Sequence, residues 1–200
     1  MIAKEPMAVH PVTLQGNVVR LEPLTIEHVG ALAEVGLEPE LWKWIPFPVT
    51  TEDKMRAYVQ EALLQRDRGT ALPFVILDQV TNQVIGCTRF GNIEKLHHRV
   101  EIGWTWVIPA YQRTKANTET KLLLLTHAFE TWGVNRVELK TDALNSKSRN
   151  AILRIGATEE GTFRHHMITE SGRVRDTVYF SIIVSEWPAV KANLQAYLLR

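Results

Sequence analysis

Residues 101–125 read EIGWTWVIPAYQRTKANTETKLLLL, and the change of pattern inside this stretch decides the fold. Arg99 to Ile108 is dense in β-branched and aromatic residues and stops at Pro109, which predicts a strand. A short polar loop carrying Arg113 and Lys115 follows. A helix is then expected from Asn117 or Thr118 to Trp132, because Leu122, Leu125, Phe129 and Trp132 recur on one stripe and Gly133 suits its C-cap. A strand, loop and helix in this order aim unpaired N–H groups at one point, a ready anion site. Arg113, Lys115 and Lys121 add positive charge there. The alternative is a solvated loop with surface lysines, and pattern alone does not choose between them.

Upstream, Asn17 to Leu24 alternates as a strand, and Thr25 N-caps a helix through Ile26, Val29, Leu32 and Ala33. The segment LWKWIPFPVT (41–50) holds two tryptophans and two prolines and is expected to form no regular element. Thr50-Thr51-Glu52-Asp53 opens a second helix, with Met55, Tyr58, Val59, Ala62 and Leu63 on its apolar face and Gly69 as its stop. LPFVILD (72–78) and VIGCTRF (84–90) flank a Thr81-Asn82 turn and read as a hairpin. Downstream, Arg136 to Asp142 is a strand and Ser146 to Ile155 a short helix ending at Gly156. Glu159 to Ile168 and Arg173 to Val184 are strands joined at Ser171-Gly172, and Trp187-Pro188 opens a last helix. Hairpins followed by helix-separated strands imply an α/β fold, a mixed sheet with helices on both faces.

The 200 residues, 45% of them hydrophobic, suit one domain over 1–200, with residues 1–16 as a flexible or extended segment ahead of it. The 23 basic residues against 22 acidic ones suggest neither a nucleic-acid nor a membrane surface. The single cysteine, Cys87, excludes an internal disulfide and a Cys-rich zinc site, and on a strand it reads as a buried core residue. Met1 to Gly16 lacks the apolar centre of a secretory signal, and no apolar run approaches the roughly 20 residues that cross a bilayer. A cytoplasmic protein is expected.

Eight segments in order carry a family resemblance: VVRLEPL, LWKWIPFP, IGCTRF, VEIGWTWVIPAYQ, TKLLLLTHAFE, RVELKTDALNSKSRNAILRIGA, EEGTFRHHM and RDTVYFSI. Together they span nearly the whole chain, which resembles the GNAT superfamily of N-acetyltransferases, in particular its RimJ/RimL-like branch. The resemblance implies a twisted, mostly antiparallel sheet with one splayed parallel strand pair. It implies acetyl-CoA as co-substrate, an amine acceptor that is a peptide N-terminus or a small amine, and direct transfer. A homodimer is compatible with the family.

Carried over residue by residue, the resemblance places Trp106, Val107 and Ile108 at the pantetheine arm through their main chain. Gln112, Arg113, Thr114, Lys115, Ala116, Asn117 and Thr118 match the pyrophosphate loop. Lys115 and Asn117 stand there at positions the family usually fills with small residues; Asn117 tolerates a left-handed conformation, while Lys115 must accept a regular one or some strain. Asn145 and Ser148 match the family's N-x-x-S at the cofactor, against a plain helix cap and a hydroxyl bonded one turn back. Many members keep a tyrosine acid where Ile152 stands, which leaves Ser148 as the candidate proton donor. Trp42, Trp44 and Phe47 match the acceptor pocket, against ordinary core packing.

The implied reaction also needs a base for the amine. Glu101 is the candidate, on the opposite strand face from Val100 and Ile102 and amid apolar sequence expected to raise its pKa. The alternative is an ion pair with Arg89 or Arg99. No metal is called for: His97-His98 and His165-His166, read as strand neighbours, point to opposite faces. A rival to catalysis is a GNAT fold that binds acyl-CoA as a sensor or scaffold.

Overall fold

The strands are β1 (Leu14–Gln15), β2 (Val19–Pro23), β3 (Leu72–Asp78), β4 (Val84–Glu94), β5 (Arg99–Val107), β6 (Arg136–Asp142), β7 (Thr158–Ile168) and β8 (Val174–Ile183). In a computed structural model, which describes residues 7–200, they form one sheet in the order β1-β2-β3-β4-β5-β6-β8-β7. Only β5 and β6 run parallel; the other neighbours are antiparallel. The helices are α1 (Val29–Gly36), α2 (Pro39–Trp42), α3 (Glu52–Asp67), α4 (Lys115–Thr126), α5 (Ser146–Arg154) and α6 (Trp187–Leu199). No described helix is long and apolar enough to cross a membrane.

The sheet separates two cores, as the expected α/β class requires. On one face α1, α2 and α3 bury Val29, Leu32, Trp42, Met55 and Val59 against Val75 and Cys87. On the other, α4, α5 and α6 bury Leu124, Leu125, Ile152 and Leu194 against Phe74, Val100 and Ile102. Complete burial of a side chain of this size stabilises by about 1.5–3 kcal/mol.

The structure corrects several boundaries. The helix after the decisive loop starts at Lys115, because the hydroxyl of Thr114 accepts from the N–H of Ala116 at 3.2 Å and caps it there. Past Thr126 it widens into a π-turn over His127–Thr131. Within the first unexpected element, Pro39 supplies a preset φ at the start of the short α2, whose last residue is Trp42. Thr25 first opens a 3-10 turn, Ile26–His28, in which Nδ1 of His28 accepts from the N–H of Thr25 at 3.0 Å. Strand β4 runs on to Glu94, beyond the expected Phe90.

Of the segment expected as flexible or extended, residues 1–6 lie outside the described residues. Met7 is buried in the α4-side core, and Leu14 pairs with Leu21. The turn into β2 is held by Glu119 of α4. Its carboxylate accepts the N–H groups of Asn17 (3.0 Å), Val18 (2.7 Å) and Val19 (2.7 Å).

Candidate active site

Strands β5 and β6 pair only through Arg99–Glu101 and Arg136–Glu138. Beyond that point β5 stays with β4 as far as Val107, while β6 stays with β8 as far as Asp142. The two strands therefore part from Ile102 onward, and their inner edges carry backbone groups that no neighbouring strand pairs. Such groups need partners. An extended ligand bearing amides supplies them in the way a strand completes a sheet edge.

A bulge in β5 sets which side chains face which side. Cys87 pairs with Trp106 but Arg89 with Gly103, so three steps on β5 oppose two on β4, and Trp104 takes φ 50°. Val100 and Ile102 face the α4-side core, yet so does Val107, while Trp106 joins the α1–α3 core. The alternation has been reversed between them. Glu101 and Gly103 consequently face the α1–α3 side, and Thr105 faces α4. A left-handed tryptophan costs roughly 1–2 kcal/mol. The ring is held by the Arg89 guanidinium at 4.8 Å and the Lys140 ammonium at 5.8 Å, and the Tyr58 hydroxyl donates to the Trp104 carbonyl at 3.4 Å. Gly91 leaves the space, since a Cβ there would overlap the indole.

Around this splay lies a cleft of about 1650 Å³, lined from both faces of the sheet. Ordinary small-molecule pockets hold about 300–1,000 Å³.

Glu101 lies in the cleft wall, 2% exposed. The Lys140 ammonium reaches its Oε2 at 2.9 Å, and the Asn92 amide donates to the same oxygen at 2.7 Å. The surroundings are thus polar rather than the apolar ones expected. The anticipated arginine partners are elsewhere: Arg99 binds Glu138 at 3.2 Å, and Arg89 donates to Gln65 at 3.1 Å.

Asn145 caps α5, its side chain accepting from the Ser148 N–H at 3.0 Å, and both residues line the cleft. Among the described residues, no bond from the Ser148 hydroxyl to a carbonyl one turn back is formed. Gln112 spans the mouth: its amide donates to the Val107 carbonyl at 2.9 Å, and its oxygen accepts from Lys147 of α5.

In the loop, the left-handed residue is Arg113, at φ 62°. Lys115 and Asn117 are both helical, so Lys115 takes the regular conformation and the left-handed tolerance of Asn117 is not used. The helix begins earlier than its apolar stripe suggested, so the turn before it falls on Arg113. Arg113, Thr114 and Asn117 line the cleft, whereas Lys115 is exposed outside it, Ala116 is buried in the core, and Thr118 accepts from Arg154 at 3.2 Å.

Trp44 and Phe47 line the cleft, but Trp42 does not. Trp42 is 1% exposed, packs against Tyr58 and Trp106, and donates from its indole to the Gly36 carbonyl at 2.7 Å. Cys87 is buried, and burial pushes its thiol up to about 11, which suits a core residue. His97 and His98 sit in a turn rather than on a strand, and His98 is left-handed. Among the described residues, no group of three or more His, Cys, Asp or Glu side chains gathers to hold a metal.

Sequence reasoning missed the roles of Tyr58, Arg89, Trp104 and Lys140 and misread that of Lys121. All five line the cleft. Lys121 was read as one of three cations at the loop; it lies in the second turn of α4, 7% exposed, with Nζ donating to Thr105 Oγ1 at 2.9 Å. The one sequence signal was a lysine directly ahead of LLLL.

A splayed parallel pair, a bulged strand and a capped helix beside the gap frame the candidate site. Residues 19–158 match the family described as acetyltransferase (GNAT) domain. The chain belongs to the GNAT acetyltransferase family and is an enzyme of that class. It is 32% identical over 106 residues to a Bacillus subtilis (strain 168) protein named, provisionally, ribosomal N-acetyltransferase YdaF; the match covers 53% of this chain and 57% of that protein. It is 26% identical to the uncharacterized N-acetyltransferase p20 of Bacillus licheniformis, over 88% of this chain and 98% of that one. A crystal structure of a GCN5-related N-acetyltransferase from Brucella melitensis superposes with a TM-score of 0.88 at 29% identity, covering 99% of this chain and 90% of that one.

Proposed function

We propose that the enzyme moves the acetyl group of acetyl-CoA directly to a primary amine while both are bound. The observation that carries this is the splay of β5 from β6, opening on both faces of the sheet. Acetyl-CoA fits the free edge of β5 at Trp106–Ile108, where a pantetheine amide would replace Gln112 on the Val107 carbonyl. Its phosphates would meet the N-terminus of α4 and Arg113. Glu101 then takes a proton from the amine, and Ser148 turns a free hydroxyl toward the cofactor arm. The acceptor enters past Trp44 and Phe47. A peptide N-terminus is the favoured acceptor, given the ribosomal substrate in the name of the B. subtilis relative.

Acetyl-CoA is expected to raise the melting temperature, since ligand at 100 times Kd adds about 2.7 kcal/mol. Thiol release with a panel of peptides and small amines then measures transfer. No shift at millimolar acetyl-CoA would overturn the reading, and a shift without transfer to any amine would make the protein an acyl-CoA sensor.

The loop geometry separates its two cations. Arg113→Gly should keep the left-handed turn but lose charge at the cleft, weakening acetyl-CoA in a way that fades with salt, because exposed charges are screened over about 8–10 Å. Lys115→Ala should change affinity less than twofold. Titrations of each variant at low and high salt decide this, and equal losses would show that both cations hold phosphate.

A further inference from the structure

Lys121 is a buried cation without an acid. Its ammonium has Thr105 Oγ1 as partner, and that hydroxyl lies 2.7 Å from Thr88 Oγ1 and 3.3 Å from the Gly103 carbonyl. Among the described residues no carboxylate comes within ion-pair distance of it. The charged groups on the surrounding elements are engaged elsewhere. Arg154 of α5 bonds Thr118, Lys140 of β6 holds Glu101, Arg89 of β4 bonds Gln65, and Glu119 of α4 binds the β2 amides. Burying an uncompensated ammonium is costly, and an apolar side chain of similar length would pack there without that cost. Burial alone pushes Lys121 down to about 7, where it exchanges a proton readily.

The reversed alternation of β5 gives this lysine a direction. Glu101 faces the α1–α3 side of the splay, and Thr105, with Lys121 behind it, faces the α4 side. Four residues at about 3.3 Å each span about 13 Å, less what the bulge removes. An amine nitrogen, an acyl carbon and a sulfur fit between them, bent at the carbon as addition to a carbonyl requires.

We propose that Lys121 is the catalytic acid of the transfer, its ammonium protonating the departing thiolate from the α4 side while Glu101 accepts the amine proton from the other. This rests on the reading of the cleft as an acetyl-CoA site. The amine nitrogen forms a bond to the acyl carbon, the carbon–sulfur bond breaks, and the sulfur takes its proton from Nζ. Glu101 holds the proton lost by the amine. Solvent then recharges Lys121 and discharges Glu101, so amide and free thiol are the products. Ser148 can lend the sulfur a hydrogen bond, but its hydroxyl is a far weaker acid than a thiol and yields a net proton only by relay from another group.

The test uses the full chain with Lys121→Met and Lys121→Arg, acetyl-CoA, and an amine that the wild type acetylates. Both variants should bind acetyl-CoA within about threefold of wild type by titration. Lys121→Met should lose about 10²–10⁴-fold in kcat, the usual loss for a general acid. Because the protonated form is the donor, wild-type kcat should fall as pH rises through the lysine's pKa. That descending limb should vanish in Lys121→Met and move to higher pH in Lys121→Arg. A Lys121→Met enzyme with wild-type kcat and an unchanged limb overturns the proposal and leaves the cleft reading intact. So does one that weakens acetyl-CoA binding alone. A wild type that does not bind acetyl-CoA removes the cleft reading and the proposal together.

Discussion

Glu101→Gln is expected to lower kcat by about 10²–10⁴-fold while acetyl-CoA affinity stays near that of wild type. An amine must shed a proton to attack a thioester, and Glu101 is a carboxylate buried in the cleft wall. Lys140 and Asn92 both engage Oε2. Oε1 lies toward Gly103, where a Cβ would come within 2.8 Å of it, so this position leaves the second oxygen its space. Glutamine keeps the shape and removes the base. It also leaves the Lys140 ammonium without its counter-charge, so a thermal melt should accompany the kinetics to separate lost chemistry from lost folding. Steady-state kinetics at saturating acetyl-CoA give the answer: turnover at the wild-type rate in a folded variant takes Glu101 out of the mechanism.

The largest loss of stability is expected at Glu119. Its carboxylate is 4% exposed and gathers three consecutive backbone N–H groups from a segment about 100 residues away. Charge-assisted hydrogen bonds contribute about 1.5–3 kcal/mol each, less than additively, and Glu119→Ala strands the donors as well. A destabilisation of about 3–5 kcal/mol follows, which for a domain of this size lowers Tm by roughly 6–20 °C. Gly16→Ala should act through the same contact, because a Cβ there would overlap the carboxylate. Denaturant titration of both variants checks this, and a change under 1 kcal/mol for Glu119→Ala would mean that water satisfies those amides. Since Glu119 stands in the first turns of α4, the same bonds tie the candidate phosphate loop to β2.

What was legible in the sequence was whatever periodicity encodes. LPFVILD and RVELKTD form strands over the ranges read: RVELKTD because its alternation follows the pleat, LPFVILD because a short apolar run between turn signals suits a strand buried on both faces. Thr51 caps α3 as expected, accepting from the Lys54 N–H at 3.2 Å. The order of segments was enough to identify the family. Boundaries set by a single side-chain bond were not legible: the cap at Thr114 moved α4 forward and put the left-handed turn on Arg113.

Composition and local pattern determined the elements and their two apolar faces, because burial and backbone preference act within a few residues, and the family resemblance pointed to Glu101, Asn145 and Ser148 as candidates. Tertiary structure alone decided the rest. Nothing near Trp104 announces a bulge; it exists because Arg89, Lys140, Tyr58 and Gly91 converge from three other elements to hold a left-handed tryptophan. That one inserted step turns Thr105 away from the face of Glu101. Lys121 likewise became a buried cleft residue only when α4 packed under the splay, since desolvation depends on every element that excludes water and on no single stretch of chain.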